Sequence, residues 1–273
     1  MALTREAGEY LYGFHAIHFS PLFGGFVPLR DVIGLSATAG FDAIGIDLAS
    51  VRADGDVDDV AAAIMDAGLT CSDVLALIVG TDSDLAGTAR ELGRLAAAVD
   101  APSCIAAVAE PVPRDALVDS LSECAKIIAD HGCRLAIEFT PYSALSSLHA
   151  AKELSTAIGW DRCGLALDAL HFFRSNAPWA DLTALKAEQI AVVQWSDAPS
   201  AAPHSLVDES RHGRLLPGHG GLDLVGLATA IRATGWHGVV SAEILSDQLR
   251  ASDPATAIPA VYAAMTSDDA GWT

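Results

Sequence analysis

Short aliphatic runs alternate with segments of helical periodicity along most of the chain. The runs carry apolar side chains at successive positions, as strands buried on both faces do. We predict strands near residues 11–18, 42–47, 72–79, 103–109, 134–139, 163–168, 190–195 and 237–243. We predict helices near residues 28–39, 56–67, 82–99, 114–130, 143–158, 176–188, 223–234 and 254–266. Because eight strand–helix units close a barrel, the expected fold class is α/β, a single (β/α)8 TIM barrel over residues 1–273.

Each of the last four predicted strands has, at or next to its end, a polar side chain with an oxygen atom that can bind a metal ion. These side chains are Glu138, Asp168, Gln194 and Glu243. In a parallel barrel the C-terminal ends of the strands meet at the catalytic face. A single glutamate at a strand end is often only a solvated cap, but four polar ends in succession predict one oxygen-rich site for one divalent metal ion. Mn2+ and Mg2+ fit such oxygens best, and Co2+ and Zn2+ remain open.

A histidine follows the sixth predicted strand at a fixed spacing from the strand-end carboxylate. Asp168 and His171 form a D-x-x-H pattern in which the histidine lies just beyond the strand, over the barrel mouth. At that place an imidazole can polarise or protonate a substrate oxygen. The alternative is a histidine on the loop surface.

The connection after the seventh strand, about residues 196–221, is long for a barrel loop and contains Arg214 and His219. Long loops at a catalytic face are usually functional, and this one is a candidate lid. His219 in its glycine-rich turn is a candidate for substrate contact. His15 and His18 lie on or just after the first strand, where alternation places them on opposite faces, so at most one points into the mouth. Of the two, His15 is the candidate for substrate contact.

Charge and composition exclude several classes of function. The chain has 35 acidic and 16 basic residues, a net charge of −19, and no basic stripe of the kind that nucleic-acid binding needs. It has no apolar run of about 20 residues to span a membrane. Residues 1–10 lack the apolar region of a signal peptide, so we expect a cytoplasmic protein. The five cysteines form no C-x-x-C pair, which predicts free thiols.

Two segments carry a resemblance to a known family. They are residues 167–171, LDALH, and residues 214–220, RLLPGHG. The chain resembles the xylose-isomerase-like barrel superfamily, which includes sugar phosphate isomerases and epimerases, hydroxypyruvate isomerase, inosose dehydratase and the type IV AP endonucleases. The resemblance extends from residues 40–47 to residues 239–243.

The resemblance implies a role for each candidate residue. It implies Glu138, Asp168, Gln194 and Glu243 as the metal ligands, Glu138 and Glu243 as the acid/base pair, and His171 and Arg214 as substrate contacts. Many epimerases of the superfamily have histidine where this chain has Gln194, whereas members similar to hydroxypyruvate isomerase have glutamine. Sugar epimerases also carry a glutamate six residues after the first ligand, where this chain has Ala144.

These features predict a metal-dependent isomerase or epimerase that acts on a sugar-like 2-hydroxy ketone or hydroxy-keto acid through a metal-stabilised enediolate. Loss of a β-hydroxyl from the same intermediate makes a lyase or dehydratase the main alternative. The expected partner is a small carbohydrate-like molecule, with no nucleic acid and no membrane. A homo-oligomer is possible by analogy with other barrels.

Three other readings fit less well. A Schiff-base aldolase needs a lysine at a strand end, but Lys126, Lys152 and Lys186 all fall in predicted helices. An AP endonuclease needs further histidines at the ends of early strands, and the acidity of the chain disfavours a DNA substrate. A catalytically inactive barrel that serves as a partner subunit is a different class, and the complete ligand set argues against it.

Overall fold

The computed structural model describes residues 10–273 and contains a closed barrel of eight parallel strands with helices between them. The strands are β1 (Leu11–His15), β2 (Ala43–Asp47), β3 (Thr70–Val79), β4 (Ser103–Val108), β5 (Arg134–Glu138), β6 (Cys163–Asp168), β7 (Ile190–Trp195) and β8 (Val239–Ala242). They follow one another around the barrel in chain order, and β1 closes against β8 where Leu11 faces Val239. The predicted (β/α)8 TIM barrel is confirmed.

Within the described residues the chain forms twelve α-helices. They are α1 (Leu29–Ala39), α2 (Leu48–Asp54), α3 (Val57–Asp66), α4 (Leu85–Ala98), α5 (Arg114–Ala129), α6 (Leu148–Ile158), α7 (Ala169–Arg174), α8 (Trp179–Thr183), α9 (Leu206–His212), α10 (Leu224–Ala233), α11 (Asp247–Arg250) and α12 (Pro254–Met265). Four short helices, α2, α7, α9 and α11, are not predicted by the sequence pattern. All four lie in connections that leave the C-terminal ends of strands.

Two of these short helices begin directly at a strand-end aspartate. The Oδ1 atom of Asp47 accepts the backbone N–H of Ser50 at 2.9 Å, and Oδ1 of Asp168 accepts that of His171 at 2.9 Å. An aspartate in this position caps the first turn of a helix and satisfies one of its free N–H groups. The same side chain that ends a strand therefore starts α2 or α7 without an intervening loop.

The first strand is shorter than the sequence pattern predicts. It ends at His15, and a 3-10 helix, Ala16–Phe19, follows at once. The Nδ1 atom of His15 accepts the N–H of Ile17 at 3.1 Å and so caps that turn. Because His18 lies in the 3-10 helix, the alternation of a strand does not apply to it.

Two predicted helices also differ from those observed. The helix predicted over 143–158 begins at Leu148, because the Ser147 hydroxyl caps it. The segment predicted over 176–188 holds only α8 and a 3-10 helix, Ala187–Gln189. Pro178 precedes α8, and a proline disfavours helical backbone geometry at the residue before it, so the helix does not begin at residue 176.

The core has two layers. The larger lies between the strands and the helices and includes Trp195, whose indole N–H donates to the carbonyl of Ala270 at 3.1 Å. The smaller is a separate apolar cluster that includes Ile105, Ala136, Ala166 and Val192. Each of the latter three lies two residues before a strand-end polar residue, namely Glu138, Asp168 or Gln194. Residues two apart on a strand point to the same face, so these polar side chains share the face of that cluster.

Three further predictions concern composition and the chain start. All five cysteines lie among the described residues, are buried and form no disulfide, as expected. Between residues 10 and 273 no helix is both long enough and apolar enough to cross a membrane. The predicted lack of a signal peptide concerns residues that, apart from Tyr10, lie outside the described part of the chain. The single domain over 1–273 stays a prediction for the same reason.

Candidate functional site

The four predicted ligands stand at the same end of the barrel. Asp168 on β6 is in register with Gln194 on β7, and Gln194 is in register with Ser241 on β8. The backbone N–H of Glu243, one residue beyond β8, donates to the carbonyl of Trp195 at 3.1 Å. Glu138 is the last residue of β5. Parallel pairing therefore carries all four side chains to the C-terminal face, as the strand-end rule predicts.

The tightest cluster of metal-binding groups combines two of these residues with the neighbouring histidine. One ligand atom from each of Glu138, Asp168 and His171 lies within 4.8 Å of the others. The Nε2 atom of His171 is 3.7 Å from Oε1 of Glu138. His171, predicted as a catalytic and substrate-contacting residue, thus stands beside the predicted ligands. The ligand set of Glu138, Asp168, Gln194 and Glu243 stays a prediction.

Several buried polar atoms of this site have no hydrogen-bond partner among residues 10–273. They are both amide atoms of Gln194, Oε2 of Glu243 and Nδ1 of His171. Leaving a buried polar atom unpaired costs ~1–3 kcal/mol, so a folded protein rarely keeps several of them together without a ligand. Their oxygen and nitrogen donors fit a divalent cation, with Gln194 contributing an amide oxygen.

The carboxylates of the site repel one another. Burial and the charges of Glu243 and Asp168 raise the pKa of Glu138 well above its usual range. Burial also raises the pKa of Glu243, although Arg214 and His15 oppose the effect. A bound cation would offset this repulsion, which is a second reason why the residues present fit a metal ion.

Asp168 differs from the two glutamates. Burial alone would raise its pKa, but the positive charge of Arg214 and the contacts with His171 outweigh burial and lower it. The Nη1 atom of Arg214 donates to Oδ2 of Asp168 at 2.5 Å. Each carboxylate oxygen has two lone pairs, so Asp168 can still offer one to a metal ion.

Arg214 is buried and nearly saturated with hydrogen bonds. Besides Asp168, its Nη1 atom donates to the backbone carbonyl of Glu243 at 2.9 Å. Its Nε atom donates to the carbonyl of Ser210 at 2.8 Å, and Nη2 donates to the Ser210 hydroxyl at 3.3 Å. A guanidinium has five N–H donors, so these four bonds leave one N–H of Nη2 for a substrate oxygen.

Burial holds the His171 ring in its neutral form. The pKa of His171 is lowered to about 4, first by burial and also by the charge of Arg214, although Asp168 acts in the opposite direction. At neutral pH the ring therefore carries one proton and one free lone pair. Such a ring can either donate a hydrogen bond to a substrate oxygen or accept one from a substrate hydroxyl.

Two other predicted substrate contacts lie outside the cluster. His15 is fully buried, with Nδ1 accepting from Ile17 and Nε2 3.1 Å from Oδ1 of Asp73, so both ring nitrogens have protein partners. His219 is exposed at the tip of its turn. The Oδ2 atom of Asp197 shapes that turn by accepting the N–H groups of Gly218 and Gly220. Substrate contact by His15 or His219 stays a prediction.

Sequence reasoning misses the residues of α9, which lies inside the predicted loop 196–221. Glu209 of this helix forms a buried, two-bond ion pair with Arg174 of α7, at 2.7 and 2.6 Å. Ser210 contacts Arg214, and its Oγ atom also lies 2.8 Å from the hydroxyl of Tyr142. A capping signal marks the helix, because Ser205 accepts the N–H of Asp208 at 3.1 Å.

A separate cavity of about 480 Å3 lies at the opposite end of the barrel. Its lining includes Ser72, Ser103, Arg134 and Val239, which stand at or near the N-terminal ends of their strands. The Nη2 atom of Arg134 donates to three backbone carbonyls there. This cavity is therefore remote from the strand-end carboxylates.

Comparison with known proteins identifies a matching family model and similar proteins that have two different enzymatic activities. The family model described as a xylose isomerase-like TIM barrel matches residues 33–266. An inosose isomerase from Halalkalibacterium halodurans is 30% identical over 129 residues, 46% of this chain and 45% of that protein. A 3-dehydroshikimate dehydratase from Pseudomonas aeruginosa is 31% identical over 137 residues, 50% of this chain and 22% of that protein. The chain thus matches about half of the first relative's length and less of the second's.

Solved structures share the fold at lower identity. A crystal structure of the IOLI protein with a bound zinc atom matches with a TM-score of 0.83 and 21% identity. The match covers 95% of this chain and 98% of that one. At this identity the likeness concerns the fold.

Proposed function

This chain belongs to the xylose isomerase-like TIM barrel family, and we propose that it is a divalent-metal-dependent isomerase or epimerase. Its substrate in this proposal is a sugar-like 2-hydroxy ketone or hydroxy-keto acid. The observation that carries the proposal is the set of polar side chains at the ends of β5 to β8, with buried ligand atoms left unpaired at Gln194 and Glu243. The inosose isomerase relative supports an enzyme that acts on a small polyol ketone.

Glu138, Asp168, Gln194 and Glu243 would hold the metal ion, and His171 lies beside Glu138 and Asp168. When bound, the ion supplies positive charge that stabilises the negative oxygens of a deprotonated 2-hydroxy ketone. The oxygen-rich donor set favours Mn2+ or Mg2+. Zn2+ and Co2+ stay open, since the structurally similar IOLI protein carries zinc.

The two glutamates move the proton in this proposal. One of them, Glu138 or Glu243, takes the proton from the carbon beside the carbonyl. The C–H electron pair becomes the second bond between the two carbons, and the π electrons of the carbonyl move onto its oxygen. Burial raises the pKa of both groups, and the charge of a bound ion would act in the opposite direction, so that either glutamate can be ionised and take a proton. Returning the proton to the neighbouring carbon isomerises the substrate. Returning it to the opposite face of the same carbon epimerises it.

His171 and Arg214 hold the substrate oxygens. The neutral His171 ring donates or accepts one hydrogen bond, and Arg214 has one N–H of Nη2 left to donate. Because Arg214 is fixed by Asp168 and Ser210, its remaining donor has a fixed direction. A fixed donor orients the ketone without a loss of side-chain entropy at the moment of binding.

A lyase or dehydratase is the second candidate. The specific observations in its favour are the match to a 3-dehydroshikimate dehydratase and the exposed Ala144, where sugar epimerases carry a glutamate. The proton abstraction is the same in this case. The electron pair then expels a β-hydroxyl, which leaves as water once it gains a proton.

The test is incubation of the Mn2+-loaded protein with a panel of ketoses, inososes and hydroxy-keto acids in D2O, followed by NMR. An isomerase or epimerase places deuterium on the carbon beside the carbonyl in the product and in recovered substrate. A dehydratase instead gives an unsaturated product. Absence of exchange and of product across the panel, in protein shown to bind metal, would contradict both candidates.

We expect Glu243→Gln to lower the rate of deuterium exchange by about 10²- to 10⁴-fold, because the amide cannot carry the proton. The matched control is Glu188→Gln, which changes an exposed side chain that follows α8. It should exchange at the wild-type rate. Near-wild-type exchange in Glu243→Gln would remove Glu243 from the proton path.

The remaining expectations concern the setting of the protein. We propose a cytoplasmic enzyme whose partner is the small substrate, and by analogy with other barrels we include a homo-oligomer in the proposal. The acidic surface, with a net charge of −19, supports the expectation that nucleic acid is not a partner.

A further inference from the structure

A closed ring of side-chain and backbone contacts joins the candidate site to the helix α9. Oδ1 of Asp168 accepts the backbone N–H of His171, and the His171 ring meets Tyr142 nearly at right angles, with ring centroids 5.7 Å apart. The hydroxyl oxygen of Tyr142 lies 2.8 Å from Oγ of Ser210. Ser210 accepts two hydrogen bonds from Arg214, and Arg214 donates back to Asp168. Five residues from three separate parts of the sequence thus fix one another.

The His171 ring has no strong hydrogen bond of its own to hold it. Within the described part of the chain its Nδ1 atom has no partner, and the 3.7 Å from Nε2 to Oε1 of Glu138 exceeds an ordinary hydrogen bond. A histidine that transfers protons usually has one ring nitrogen fixed by a partner. The orientation of this ring must therefore depend on packing, and Tyr142 supplies its aromatic contact.

We propose that Tyr142 is a positioning residue for His171 and that it couples the histidine to the position of α9 through Ser210. The phenol ring supports the imidazole, and the phenol hydroxyl anchors that ring to α9. With α9 in place, the His171 ring faces the site in one orientation. With α9 displaced, the Tyr142 hydroxyl loses its partner, and both rings are free to turn.

Coupling between His171 and α9 would matter when the substrate enters the site. Asp168 and His171 are 1% and 2% exposed, and in this proposal movement of α9 would widen the access of a sugar-sized molecule to them. α9 carries Ser210 and, next to it, Glu209, whose ion pair with Arg174 joins α9 to α7, the helix of His171. Return of α9 after substrate entry would restore the Ser210–Tyr142 contact and orient His171 in the same movement.

The first test needs no substrate and no metal. Histidine rings are labelled with 13C in metal-free protein, and the His171 resonance is assigned by its loss in His171→Gln. We expect Tyr142→Leu and Ser210→Ala to shift or broaden the His171 signal, because one removes the ring contact and the other its anchor. The matched control Tyr10→Phe deletes another buried hydroxyl, which bonds the carbonyl of Trp236 at 3.4 Å, and should leave the signal in place.

The NMR result decides the structural part of the proposal. A His171 signal that moves in Tyr142→Leu and Ser210→Ala, but not in Tyr10→Phe, supports the coupling. A signal that stays unchanged in Tyr142→Leu overturns it. Circular dichroism and thermal unfolding of each variant establish that the protein is folded, and Tyr142→Phe, which keeps the ring, provides a milder variant should Tyr142→Leu fail to fold.

The kinetic part rests on the proposed function and uses the substrate that the D2O panel identifies. We expect Tyr142→Phe to lower kcat about fivefold, the effect of one lost neutral hydrogen bond, with Mn2+ affinity unchanged by calorimetry. Ser210→Ala should lower kcat at least as much, because it removes the same contact and also the hydrogen bond from Nη2 of Arg214. Because Ser210→Ala already breaks the Tyr142–Ser210 contact, the double variant should equal Ser210→Ala alone. Additive losses would overturn the coupling. If no substrate turns over while the NMR shifts occur, the proposed function fails and the positioning contact stands.

Discussion

The three carboxylates at the ends of β5, β6 and β8 have the same chemistry but different surroundings. Asp168 has the Arg214 guanidinium against it, which keeps its pKa low, whereas burial raises the pKa of Glu138 and Glu243. Neighbouring carboxyl groups with divergent pKa values usually divide their roles. This division agrees with the proposed mechanism, in which Asp168 remains a fixed anion and the two glutamates exchange protons.

A glycine on β2 makes room for His15. Gly45 faces His15 in the β1–β2 register, and a Cβ atom on Gly45 would lie 2.3 Å from Cδ2 of the ring. We predict that Gly45→Ala lowers the free energy of unfolding by about 1–3 kcal/mol, because the buried ring, bonded to Asp73, has no space to yield. Urea unfolding measures this change.

The matched control is a glycine with open space around it. Gly34 lies in α1, and a Cβ atom there would meet nothing within 4 Å. Gly34→Ala should stabilise the protein by up to about 1 kcal/mol through helix propensity. Equal stability of Gly45→Ala and wild type would show that His15 can move aside at little cost.

The positions of the strand-end polar residues were accessible from sequence, whereas their supporting contacts were not. The period of the apolar runs placed Glu138 and Asp168 at the barrel mouth, because every strand of a parallel barrel ends there. Tyr142 and Ser210 carry no such signal. They are 68 positions apart, and their contact exists only once the tertiary fold has brought α9 against Tyr142.

At the scale of elements, α9 is held by a buried ion pair. Arg174 and Glu209 are each 5% exposed and share two hydrogen bonds. Removing one partner leaves the other charge buried and unpaired, which is strongly destabilising. We predict that Glu209→Gln frees α9, so that hydrogen exchange of its backbone amides accelerates well beyond that of β5 and β6.

An exposed ion pair provides the control for that experiment. Arg52 and Glu91 are partly exposed and also share two hydrogen bonds. Glu91→Gln should change stability by less than about 1 kcal/mol and leave exchange in α9 as it is. If exchange in α9 is equally slow in Glu209→Gln and wild type, the ion pair does not hold the helix.

The elements themselves were predicted unevenly, for a physical reason. Long helices and buried strands can be predicted from the period of their apolar residues, as for β6 and α5. Short helices such as α7 and α9 have too few residues to show one. Their only local signals are caps at Asp168 and Ser205, and a strand-end aspartate is equally consistent with a ligand.

For the whole molecule, buried neutral histidines make stability depend on pH. Burial lowers the pKa of His18 to about 3, and Nε2 of His18 accepts the N–H of Ile244 at 2.9 Å, which requires the neutral ring. In the unfolded chain this pKa is near 6.5. Between those values the unfolded state binds more protons, so stability is full above about pH 6.5 and is lost as the pH falls toward 3.

We predict that His18→Gln makes the stability curve less steep between pH 6 and pH 4, by up to about 1.4 kcal/mol per pH unit, the effect of one proton. Urea unfolding at several pH values measures the slope. His149→Gln is the control, because His149 is exposed on α6. A slope that His18→Gln leaves unchanged would mean that protonation of His18 does not limit acid stability.

Binding of one divalent ion by the ends of β5 to β8 is the claim on which the proposed chemistry depends. It is tested most directly by a crystal soaked in Mn2+, with anomalous diffraction data collected near the manganese edge. We predict one strong peak about 2.0–2.6 Å from side-chain oxygens of Glu138, Asp168, Gln194 and Glu243. No peak among these side chains, or a peak bound elsewhere on the protein, would contradict the account.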